Sequence, residues 1–193
     1  YSVAYNASFT ISILTAAINQ SIIPWMYNKM KEGDYEPIRK RTKQILIIFA
    51  IILLVFILVV PEVVSVLAPP SYSEAIGILP VLVISVYFQF LYGLFGTIDF
   101  YFEKSIYPML ASVVAAATNL STNYLLIPII GYFAAGYTTL FSFIVMSIMH
   151  YIFMKIVLRK EKITANIFDI KIIGLASILF VIIGLSEVFL YPM

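Results

Sequence analysis

The sequence predicts an all-α protein that crosses a membrane about six times. Three observations carry that class. Of 193 residues, 62% are hydrophobic and 11% charged, whereas a soluble domain is about half apolar and a quarter charged. Mean hydropathy is +1.02. The apolar residues also come in runs of about 20, the length a bilayer-spanning helix needs. The twelve Lys and Arg residues gather in the stretches 28–43, 103–105 and 155–171. There is no cysteine, which excludes disulfides and thiolate metal sites. One histidine and no His/Glu cluster argue against a metal centre. No phosphate loop, Ser/His/Asp order, basic–aromatic nucleic-acid pattern or solenoid period is visible. The chain opens on Tyr1 in an apolar run with no signal-peptide pattern, and it reads as part of a longer protein.

The first span is expected over 3–27. Tyr5, Ser8, Ser12, Thr15 and Asn19 recur every three or four positions and mark one polar face. Pro24 is expected to kink or end it, with Trp25 and Tyr27 at the interface. Residues 28–43 form a basic connector whose second half suits the headgroup plane. A second span over 44–68 is apolar on every face and is expected to meet lipid, with Pro61 and Glu62 at its outer end and an interfacial segment up to Pro69 and Pro70.

The third span, 74–102, carries the most polar face: Gln89, Tyr92, Gly96, Asp99 and Glu103. A carboxylate at the centre of a span costs about 2.5–3.5 kcal/mol, so it must pair, line water or work. Asp99 is therefore either an ion-coupling group or an acid reaching the headgroups beside Glu103 and Lys104. The fourth and fifth spans, 106–127 and 132–157, hinge at Pro128 and Gly131. On the fourth, Ser112, Ala116, Asn119 and Asn123 share a face suited to helix packing or a wet cavity. On the fifth, Ala135, Thr139, Ser142 and Met146 share a face, with His150 a turn further on. His150 is either a proton relay or, the favoured reading because Lys155 is five residues on, an interfacial residue. A connector over 158–169 leads to a sixth span near 170–190, with Gly174, Ser177 and Gly184 as packing positions and Tyr191 at the boundary.

Several of these features come in a particular order. Asn119 and Asn123 lie on a small-residue helix. LLIP follows at 125–128, then Gly131, then Ala134, Ala135 and Gly136 opening a Thr/Ser-rich helix. YSVAYNAS at 1–8 precedes a helix with Pro24, and LAPPSYSEAIGILPVL fills 67–82. Together they resemble the polysaccharide-export, Wzx-like flippases of the multidrug/oligosaccharidyl-lipid/polysaccharide exporter superfamily, over nearly the whole chain. The resemblance implies roughly the second bundle of a two-bundle transporter: residues 1–157 as five spans of that bundle, and 158–193 as a connector and one additional C-terminal helix. It implies a multi-pass protein of the cytoplasmic (inner) membrane that moves lipid-linked oligosaccharide on a polyprenyl carrier by alternating access. Its partners would be that lipid, the surrounding bilayer, the N-terminal half of the same transporter and a coupling proton or Na⁺. No nucleic acid, metal, cofactor or catalytic residue is implied. The pathway residues would be Asp99, Gln89, Tyr92, Asn119, Asn123 and Asn19, with Lys104 at a helix mouth as a headgroup or phosphate contact. Two other readings stand beside this one. One is a drug or cation exporter of the same superfamily. The other is a membrane enzyme acting on polyprenyl-linked sugars, which would want clustered acids, His or Arg in one cavity.

Charge alone sets the expected orientation. The basic connectors lie in the cytoplasm and Tyr1 lies outside. Single cysteines at Ser71 and Lys40 test this: an impermeant thiol reagent added outside is expected to label Ser71→Cys and spare Lys40→Cys. The opposite pattern inverts the topology.

Overall fold

The computed structural model describes the backbone of residues 2–67 and 73–190, and the side chains of 11, 13–59, 62 and 77–188. It contains six helices: α1 (Ser2–Lys31), α2 (Tyr35–Leu67), α3 (Ser73–Tyr101), α4 (Ile106–Ile130), α5 (Phe133–Lys160) and α6 (Ile170–Leu190). Among the described residues, α2 to α6 are long and apolar enough to cross a membrane. The protein is an all-α, multi-pass membrane bundle.

α3 is the axis. From Ile78 to Asp99 nearly every side chain is buried, and α1, α2, α5 and α6 pack around it. α4 lies outside this ring and rests mainly on α5. The other helices each bury one stripe. On α2 it is Leu46, Phe49, Ala50, Leu53 and Ile57, while Ile47, Ile48, Ile51, Ile52, Val55 and Leu58 face outward. The span expected to be mostly lipid-facing is thus lipid-facing on one side and packed on the other.

Small residues let the helices close. A Cβ on Gly136 of α5 would sit 2.6 Å from the Ile78 side chain of α3. One on Gly184 of α6 would sit 2.9 Å from Ile84. Such positions permit the close backbone approach that drives association in lipid. Gly174 has nothing within 4 Å of its Cβ position, so it is not a packing position within this chain. Ser177 is one: its Oγ lies 3.0 Å from the buried Tyr87 hydroxyl, whose ring also meets Phe180.

The helix ends differ most from expectation. α1 runs through Pro24 to Lys31, and α2 starts at Tyr35, so the basic connector narrows to a turn at Glu32–Asp34. Gly33 takes φ 72° there, and the Asp34 N–H donates to the Lys29 carbonyl at 3.0 Å, closing the turn. Lys29 Nζ donates to Glu32 at 2.6 Å, and that bond holds the Lys29 ammonium above its ordinary pKa. The basic residues from Arg39 to Lys43 therefore sit on the first turns of α2, not on a separate surface helix. Lys and Arg are good helix formers, and their heads can snorkel to the interface. α2 also passes Pro61 and ends at Leu67; the segment at Pro69 and Pro70 lies outside the described residues, as do Tyr191 and the side chains of Tyr5, Ser8 and Ser12. α4 passes Pro128 and stops at Gly131, whose φ of 69° turns the chain into α5.

Gly136→Ala is expected to lower the thermal midpoint of the detergent-purified chain, since overpacking costs about 1–3 kcal/mol. Gly174→Ala, with free space and better helix propensity, should leave it unchanged or raise it.

Candidate functional site

The polar residues of α3 are met from two sides. From α5, His150 reaches Gly96; a Cβ at Gly96 would stand 3.0 Å from His150 Nδ1. The imidazole stacks on the Tyr92 ring at 5.6 Å and 21°. Its Nδ1 lies 3.9 Å from Asp99 Oδ2, with side chains 4% and 0% exposed. That distance is longer than a hydrogen bond. From α1, Asn19 lies on Gly93, its Nδ2 2.9 Å from where a Cβ would be. The glycines at 93 and 96 are one turn apart, so each admits a polar side chain from a neighbouring helix against bare α3 backbone.

This level of the bundle is short of partners. Among the described residues, the buried side-chain nitrogens and oxygens without a hydrogen bond are Asn19 Oδ1, both oxygens of Asp99 and Nδ1 of His150. Elsewhere buried hydroxyls are satisfied: Ser85 donates to the Val81 carbonyl at 2.9 Å, Thr97 to that of Gly93 at 2.8 Å, and Ser147 across the seam to that of Phe88 at 2.8 Å. Buried polar groups in proteins are nearly always bonded, and an unpaired one costs about 1–3 kcal/mol.

His150, read from the sequence as interfacial, is buried between α3 and α5. α5 continues to Lys160, ten residues beyond His150, so the imidazole sits about 15 Å inside that helix end. Asp99 is fully buried, although α3 ends only two residues later at Tyr101. Ile167 and Phe168, from the connector between α5 and α6, fold back over this end; Phe168 meets Phe95 at 5.6 Å. Glu103 leaves the polar stripe altogether. It lies in the turn after α3 with φ 58°, exposed to solvent. Tyr92 and Gln89 are half-buried.

Asn119 and Asn123 belong to a different contact. Asn123 Nδ2 donates to Asn119 Oδ1 at 2.9 Å, and Thr138 Oγ1 of α5 donates to Asn123 Oδ1 at 2.7 Å. Both asparagines are half-buried, far along α4 from Asp99. Ser112 and Ala116, expected on the same inward face, are exposed; Ala111 and Ala115 are buried against the neighbouring helices instead. The smaller alanines give the closer approach, and Ser112 satisfies its own hydroxyl by donating to the Pro108 carbonyl at 2.9 Å. Lys104 pairs with Glu161 at 3.8 Å, linking the turn after α3 to the end of α5. Lys160 Nζ donates to the Tyr107 hydroxyl at 2.8 Å in the same corner.

No family model, no curated protein and no solved structure matches this chain.

The α4–α5 polar contact should behave as helix–helix glue. A double-mutant cycle of Asn123→Ala and Thr138→Val is expected to give a coupling of about 0.6 kcal/mol and no more than about 1.7. Unfolding of the purified chain in mixed micelles measures it, and zero coupling would remove the bond as a contributor.

Proposed function

We propose that this chain is part of a transporter working by alternating access, that its cargo is a lipid-linked oligosaccharide moved across the cytoplasmic membrane, and that the Asp99–His150 pair binds the coupling proton. One observation carries the reading. A buried acid and imidazole face each other unbonded inside a membrane bundle, and Asn19 Oδ1 is unsatisfied further along α3, at Gly93. A fold built for stability alone would satisfy these groups or replace them with apolar ones. Ionisable residues inside membrane helices mark ion and proton pathways by default.

The chemistry favours a proton over Na⁺. The carboxylate faces an imidazole nitrogen, which suits proton exchange, whereas a hard cation wants several oxygen ligands. With one proton shared between Asp99 and His150, the pair is hydrogen-bonded when α3 and α5 approach by about 1 Å. With the proton gone, the pair keeps at most a hydrogen bond from the Nδ1–H tautomer of neutral imidazole to the carboxylate, loses the charge assistance, and the seam weakens. A change in protonation thereby biases two arrangements of the same two helices, which alternating access requires. The cargo follows from the resemblance in the order of motifs, from Asn119 and Asn123 through LLIP to Gly136.

Asp99→Asn keeps size and removes titration. In vesicles containing the transporter, it is expected to leave insertion intact, lower flipping of a fluorescent lipid-linked oligosaccharide at least about fivefold, and flatten its pH dependence. His150→Gln should do the same. Wild-type flipping with an unchanged pH profile in both variants overturns the coupling role. Efflux of a cationic drug with no movement of the lipid-linked sugar would assign the chain to drug export.

A further inference from the structure

α1 and α2 are neighbours in sequence but touch little, and a groove of about 660 Å³ opens between them. Ile22 and Phe49 form its floor, and Ile45 and Ile52 flank it on the α2 side. At one end stand Trp25 and Arg41, the Arg41 guanidinium carbon 4.8 Å above the Trp25 ring. We propose that this groove holds one anionic phospholipid of the cytoplasmic leaflet, its phosphate on Arg41 and one acyl chain along the apolar trough. The inference rests on the membrane bundle and its charge asymmetry, and it stands whether or not the chain transports anything.

Charge is the first argument. Among the described residues, Arg41 makes no ion pair, while nearby Arg39 is held by Glu36 at 2.6 Å. The cation–π contact with Trp25 holds the guanidinium at the groove's end, and its N–H groups can donate to an oxyanion. Trp25 also places this end at headgroup depth, where tryptophans concentrate. The basic residues crowd the same end of the bundle, which puts it at the anionic cytoplasmic leaflet.

Length is the second. Arg41 to Ile52 spans eleven residues of α2, or about 16 Å at 1.5 Å per residue. One leaflet of hydrocarbon is about 15 Å deep. The trough therefore fits an acyl chain of the leaflet that faces its charged end. A polyprenyl chain of many isoprene units is far longer and would leave most of its length outside.

Trp25 is the only tryptophan of the sequence, so its fluorescence reports the groove directly. The chain is reconstituted in phosphatidylcholine vesicles containing a small fraction of brominated phosphatidylglycerol or, separately, brominated phosphatidylcholine. The anionic lipid is expected to quench with an apparent preference of about fivefold or more, from about 1 kcal/mol per basic contact. Arg41→Gln should erase the preference. Lys40→Gln, which removes the same charge from an exposed position outside the groove, should keep it. Equal quenching by the two lipids overturns the site, and so does equal loss in the two variants, which would reduce it to general surface attraction. Absence of quenching by either lipid means that protein covers the groove, which overturns it too. Displacement of the brominated phosphatidylglycerol by a smaller fraction of polyprenyl phosphate would assign the groove to the carrier lipid and overturn the phospholipid.

Discussion

The bundle depends on the burial of α3. In a bilayer there is no water to satisfy a polar atom on a lipid-facing surface, so a helix with a carboxylate, an amide and tyrosines must be wrapped by protein. α3 is wrapped by four helices, and each contributes the side chain its contact requires. α6 supplies Ser177 to the Tyr87 hydroxyl, and α5 supplies Ser147 to the Phe88 carbonyl. α2 supplies Phe49 to Phe90, with ring centroids 4.8 Å apart. Where the wrapping is complete, the polar groups are bonded. Where glycines leave α3 bare, at Gly93 and Gly96, they are not.

That contrast separates stability from function along one helix. Small-residue packing occupies the end of the α3–α5 seam near Gly136 and Ile78. The unbonded acid and imidazole lie toward its other end. The first end has one good arrangement, fixed by close packing. The second has groups whose best partner depends on a proton. Under the proposed coupling, such a seam would rotate about its tight end when the protonation changes.

Much of this was legible in the sequence, and the parts that were not share a cause. Local periodicity located α3 to α6 within a few residues and placed Gln89, Tyr92, Gly96 and Asp99 on one stripe, because helical spacing is a property of neighbours in the chain. The ends of α1 and α2 were missed because a basic run reads as a loop, although Lys and Arg continue a helix well. That His150 is buried against α3 was not legible, because its burial depends on how α5 packs on α3, a relation between distant segments. Its stripe with Ser142 was visible; the glycines facing it were on another helix. The rotation of α4, with Ala111 and Ala115 inward and Ser112 outward, followed from packing density, which a count of polar residues does not capture.

The sparse contact between α1 and α2 also bears on the order of assembly. A membrane chain is made from its N-terminus, so these two helices enter the bilayer before α3 exists. Within this chain they have little to hold them together, and Asn19 of α1 packs on Gly93 of α3. α3 brings the bare glycine backbone that α1 packs on and the apolar surface that α2 packs on. The bundle therefore comes together around its third helix, and a lipid lodged between the first two would serve during that interval as their provisional neighbour.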